Sequence, residues 1–214
     1  MWQGIVSGLF GLLGIFAPSS ELPDTAAFEE QVPRFAQHFA VDSGRVRVLR
    51  TDKSSPSPLL MYASTRVCLL QVNENSQSRR VWAHFLNGAQ GEQLEAVIVF
   101  SAGHELTHCA VAEQGRRARF KPQLEQTLGI RFANNTQFEE ALADLVGLAY
   151  LKREKPEMLD WMRDRLRTVR MDFSSRNPDH DSSALLSDAN IDKAAEFFKP
   201  DKLQRAALAE NTGG

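Results

Sequence analysis

Apolar residues recur along this chain with periods that change from segment to segment, and each period predicts an element. Residues 2–17 form an uncharged, mostly apolar run, closed by a Pro18-Ser19-Ser20 linker. Beyond it, Phe28, Val32, Phe35 and Phe39 fall near helical spacing. They predict a helix over 25–40, weakened at Pro33, where a backbone donor is missing, and ended by Asp42-Ser43-Gly44. Alternation through 45–50, with Val46 and Val48 on one face, predicts a strand. Residues 59–62 and 66–72 read as two more strands, the second dense in β-formers. The Ser- and Pro-rich stretch 53–58 and the polar stretch 73–78 read as turns.

From 92 to 113 the period becomes helical, and Val97, Phe100, Ser101, His104, His108 and Val111 share one face. A polar connection over 115–136, with some helix around Gln123, leads to a second strong helix at 137–153. Residues 154–170 are charged and read as an exposed helix, 177–183 as a loop, and 190–210 as short closing helices before a frayed tail. The expected fold is α+β, with a small sheet beside a helical core.

The first strong helix carries His104-Glu105-Leu106-Thr107-His108, an H-E-x-x-H pattern. Residues four apart lie one turn apart on one face, so two imidazoles can reach one tetrahedral metal ion. The glutamate beside the first histidine can then act as general base on a water at the open coordination position. A peptidase site of this kind needs a third protein ligand. The second helix offers Glu140 and Asp144, again four apart. Glu140 is the candidate ligand, with Glu139 its rival, and Asp144 the candidate acceptor for the free ring nitrogen of a ligand histidine. Ala141, Leu145 and Leu148 flank these acids and predict a buried ligand face, where carboxylates need a cationic partner.

Together, His104-Glu105-x-x-His108 and Glu140-x-x-Ala143-Asp144-x-x-Gly147 resemble the gluzincin zinc metallopeptidases of the HtpX and CAAX-prenyl-protease type. The likeness covers roughly residues 25–185, including a helix and short strands ahead of the first motif. Thr107 stands where that family usually has glycine, and the family's Asn-Ala pair is not evident in the upstream strands. The resemblance implies a zincin-like helical core with an active-site cleft between a sheet edge and the zinc helices. It also implies one Zn2+ per chain at His104, His108 and Glu140, catalysis by Glu105, and an extended peptide substrate added along a strand edge. A late histidine in a comparable loop makes His180 the first candidate to stabilise the oxyanion, with Arg170 and Arg176 as competitors. His38 and His84 read as structural or surface residues.

Composition sharpens this reading only at the margins. With 214 residues, 43% hydrophobic and 24% charged, the chain can bury one ordinary core. Its net charge of -2 argues against a nucleic-acid partner. Cys68 and Cys109 read as buried inert thiols, or as one disulfide in an exported chain. Residues 1–20 are expected to be an apolar anchor or signal-like segment and linker, and 21–214 the metallopeptidase domain. Residues 2–17 fit membrane association, and the expected location is membrane-associated or exported, in a bacterial envelope, with a cytoplasmic location the alternative. The leading functional expectation is a zinc-dependent endopeptidase acting on protein or peptide. The alternatives are a regulatory gluzincin that cuts a single partner and a non-catalytic module that holds zinc for structure.

Overall fold

A computed structural model describes residues 24–64, 67–86, 88–112, 116–174 and 178–200. The apolar run at 2–17, Arg176 and the tail beyond 200 lie outside the described residues.

The fold is α+β, mostly helical with one three-stranded sheet. Two short helices, α1 (Thr25–Glu29) and α2 (Gln31–Ala36), replace the single helix expected at the start. The break at Glu30 has a local cause: Pro33 has no N–H to bond the carbonyl four residues back, and it fits only in the first turn of a new helix. Strands β1 (Val46–Thr51), β2 (Leu59–Ala63) and β3 (Cys68–Asn73) form a mixed sheet in the order β1-β3-β2. β1 pairs parallel to β3, with Val46 opposite Cys68, and β2 pairs antiparallel, with Leu59 opposite Val72. On the central strand Leu70 and Val72, two apart and so on one face, are fully buried. β2 is an edge strand and packs against the helix that carries the first motif.

The polar stretch expected as a turn at 73–78 instead starts a helix, α3 (Ser76–Leu86). Asn75 Oδ1 accepts from the N–H groups of Gln77 and Ser78, both at 2.8 Å, which is a helix cap rather than a turn. Asn73, fully buried, holds the preceding Ser- and Pro-rich turn: its Nδ2 donates to the carbonyls of Lys53, Ser55 and Ser57 at 3.0–3.2 Å.

Helices α4 (Glu92–Val111) and α6 (Asn135–Glu154) form the centre, and both are buried around most of their circumference. Asn134 caps α6 by accepting from Gln137 N at 2.9 Å, and Pro156 stops it one residue beyond Lys155. The helices cross at glycines. A Cβ on Gly103 would lie 3.1 Å from Gly147 Cα, and one on Gly147 only 3.0 Å from the Phe100 carbonyl oxygen. This close crossing, which only glycine permits, brings the acids of α6 up to the histidines of α4. Gly147→Ala is expected to cost about 1–3 kcal/mol through overpacking. Thermal melts should show the midpoint lowered by roughly 2–4 °C per kcal/mol.

The connection expected to be largely polar carries α5 (Arg116–Leu128), a full helix despite Pro122. Phe120 anchors it, its ring 5.6 Å from that of Phe197 on α8 (Asp188–Phe197). α7 (Leu159–Ser174) corrects the expectation of an exposed helix: Leu159, Met162, Leu166 and Val169 are buried at helical spacing, so only its other face is solvated. The reading of the cysteines as thiols is also corrected. Cys68 opens β3, Cys109 lies on α4, and a disulfide joins them with 5.8 Å between their Cα atoms. It ties the sheet to the helix of the first motif.

Candidate metal centre

Both motifs meet where α4 crosses α6. His104 and His108 project from successive turns of α4, and Glu140 reaches them from α6. The two Nε2 atoms are 3.1 Å apart, and the Glu140 oxygens stand 3.6 Å from His108 Nε2 and 3.8 Å from His104 Nε2. Ligand atoms on one tetrahedral zinc at ordinary bond lengths are about 3.3 Å apart. The donor set and its spacing could therefore hold a metal ion. Glu140, and not Glu139, completes this group among the described residues.

Asp144 is fully buried one turn beyond Glu140, and its Oδ1 accepts from His104 Nδ1 at 2.9 Å. Because the carboxylate accepts a hydrogen bond from Nδ1–H, the His104 Nε2 lone pair is left facing His108 and Glu140. Two further residues hold Asp144. Arg170 on α7 donates from Nε to Oδ2 at 2.8 Å and from Nη2 to Oδ1 at 2.7 Å, and Nη2 also reaches Glu140 Oε2 at 3.2 Å. Ser182, in the turn after α7, donates its hydroxyl to Asp144 Oδ2. In the sequence Arg170 stands out only as a possible oxyanion donor, and nothing marks Ser182. Arg170 had a visible signal, a guanidinium next to Val169 on the apolar face of a helix. A serine 38 residues from its partner has none.

His180 also arrives at the site, but by way of Glu140: its Nδ1 donates to Oε2 at 3.1 Å. Arg176 lies outside the described residues. His38 is half-buried and away from the site, whereas exposed His84 borders the cavity beside it.

The charges are strongly coupled. Burial alone would raise the pKa of Asp144, but the adjacent Arg170 guanidinium and the His104 bond outweigh it and hold the carboxyl at about 2. Burial likewise opposes ionisation of Glu140, yet the His180 bond and the charges of His108 and Arg170 keep it well below the ordinary range. His104 is raised: burial works against its charge, and the Asp144 bond and charge prevail. His108 is lowered by burial to about 4, so it is neutral and able to offer a lone pair at neutral pH. Burial pushes Glu105 up to about 7, with His104 pulling down and Glu140 pushing up. A carboxyl poised there can both take and return a proton near neutrality.

Glu105 and His104 form part of the wall of a cavity of about 180 Å³, bounded also by the turn before β2 and by α3 and α7. Thr107 is buried and donates its hydroxyl to the Gly103 carbonyl at 2.8 Å, so this polar side chain is satisfied within its own helix. Comparison with protein-family models, with curated proteins and with solved structures finds no match for this chain.

Proposed function

We propose that this protein is a zinc-dependent endopeptidase with a zincin-like core. The observation that carries this reading is the convergence of His104 Nε2, His108 Nε2 and Glu140 within 4.8 Å, with Glu105 beside them on the wall of an open cavity. A structural site needs the ligands but gains nothing from a titratable carboxylate facing a cavity. Zinc held by these three residues would supply Lewis-acid polarisation of a water and of the scissile carbonyl.

The chain's own residues have distinct parts. Glu105 takes a proton from the attacking water and returns it to the departing amine. Asp144 fixes the tautomer and plane of His104, and Arg170 and Ser182 fix Asp144. His180 donates from Nδ1 to Glu140, so only as an imidazolium, with its Nε2–H, would it meet the negative charge developing on the carbonyl oxygen. Arg170 lines the cavity beside Glu105 and commits Nε and Nη2 to Asp144 and Glu140, so it stands as the alternative in that role. The edge of β2 supplies a template on which an extended peptide can lie as an added strand.

The Cys68–Cys109 disulfide favours an oxidising compartment, in keeping with an exported or envelope protein. No helix among the described residues is long and apolar enough to cross a membrane, and membrane association would rest on residues 2–17.

The test is bound metal and casein hydrolysis measured side by side on the full chain. About one zinc per chain with hydrolysis abolished by a chelator is the expected result. A folded, zinc-free protein after exposure to excess zinc would remove the basis of the proposal.

A further inference from the structure

The cavity beside Glu105 is more apolar than proton transfer requires. Trp82 and Phe85 of α3, Phe100 of α4, and Leu166 and Val169 of α7 line it, and Leu59 at the start of β2 closes one side. The aromatic rings run continuously from α3 to the metal ligand: Trp82 to Phe85 at 6.0 Å, Phe85 to Phe100 at 6.5 Å, and Phe100 to His104 at 6.0 Å. Its titratable neighbours are His84 and, at the site itself, His104, Glu105 and Arg170. Arg170 is already paired with two carboxylates. Apart from His84, the groups in this wall that can carry a positive charge are already paired with carboxylates among the described residues.

The walls are fixed before any ligand arrives. Asn73 clamps the turn that contributes Ser57 and Pro58, through the bonds to Lys53, Ser55 and Ser57. Arg165 of α7 donates to the carbonyls of Phe85 and His84, which locks the end of α3 to α7. A preformed apolar cavity of about 180 Å³ can hold a benzene-sized group, since cavities of about 150 Å³ already do so.

We propose that this cavity selects substrates by taking the side chain of a large apolar residue, Leu, Met or Phe, next to the scissile bond. The inference rests on the peptidase reading. Side chains of an extended peptide on the β2 edge alternate in direction, and one adjacent to the bond near Glu105 enters the cavity past Leu59. Enclosing such a side chain raises selectivity over Ala by about ten- to a hundredfold.

Two measurements on the full chain separate this claim from the reading beneath it. The first needs no metal: methyl resonances of Leu59, Leu166 and Val169 are followed while N-acetyl-phenylalanine amide or N-acetyl-aspartic acid amide is added. The phenylalanine compound should shift them saturably and the aspartic acid compound should not. Val81→Trp, which fills the cavity from α3 without touching the metal residues, should weaken that binding about tenfold or more. The second is cleavage, by zinc-loaded protein, of peptides carrying Ala, Leu, Phe, Asp or Lys at each position flanking the cut. Leu and Phe should lead at one position, and Val81→Trp should move the preference to Ala. Equal response to both amides, or cleavage indifferent to the flanking residue, overturns the proposal and leaves the peptidase reading standing. Selective binding of the phenylalanine compound with no cleavage of any peptide overturns both the peptidase reading and the cavity's role in substrate choice.

Discussion

Glu105→Gln is expected to lower peptide hydrolysis by about 10²–10⁴-fold while zinc content stays at the parental level. Glutamine preserves the length and nearly the shape of the side chain, so the helix and the cavity wall are undisturbed. What it removes is the capacity to accept a proton. His104, His108 and Glu140 hold their positions independently of Glu105: their hydrogen bonds run to Asp144, to each other, to Arg170 and to His180. The substitution therefore separates chemistry from metal binding. His104→Ala is the control for the opposite case, in which zinc and hydrolysis should fall together. Metal analysis and steady-state cleavage of casein by the three proteins decide the matter. Unchanged hydrolysis in Glu105→Gln would exclude Glu105 as the base. An inactive parent with full zinc would favour a module that holds the ion for structure.

The candidate site was legible in the sequence because both halves of it are local. His104 with His108, and Glu140 with Asp144, are each one helical turn apart, and the flanking apolar residues announced two buried helices. The three strands were legible for a similar reason, since alternation in 45–50 and a run of β-formers in 66–72 need no tertiary context. α3 was not, because its first turn, Ser76 to Arg80, is polar and its apolar residues begin only at Val81. Asn75, taken for a turn residue, is the cap of that helix. α5 was understated because Pro122 and its charges obscure an apolar face marked mainly by Phe120, Leu124 and Leu128. The partners of the acids escaped for a different reason. Arg170 and Ser182 join Asp144 from separate segments, 26 and 38 residues away, and no local period encodes that meeting. The disulfide is the same kind of fact: β3 must first pack on α4 before Cys68 and Cys109 can meet.

That assembly makes Asp144 the residue whose loss should be felt most widely. In Asp144→Ala the guanidinium of Arg170, its side chain only 13% exposed, loses its bidentate partner and keeps only Glu140. His104 Nδ1 and the Ser182 hydroxyl lose their acceptor at the same time. Breaking a buried ion pair from one side costs about 3–5 kcal/mol, because the remaining charge stays desolvated. A fall of roughly 10 °C in the melting midpoint of the metal-free protein is the corresponding expectation. Zinc affinity should fall about 10–100-fold as well, because nothing then holds the His104 ring in the tautomer that presents Nε2. The pH dependence of stability gives an independent check. The Asp144 carboxyl titrates at about 2 in the folded chain, below its unfolded value of about 3.9. Its stabilisation is therefore fully present above about pH 4 and is lost as pH falls toward 2, an effect on the order of 2 kcal/mol. Denaturant unfolding of metal-free parent and variant from pH 7 to pH 3 should show the gap between them narrowing as acid is added. A gap that is constant across that range, with parental zinc affinity, would mean that Asp144 neither anchors Arg170 as a charge nor orients His104.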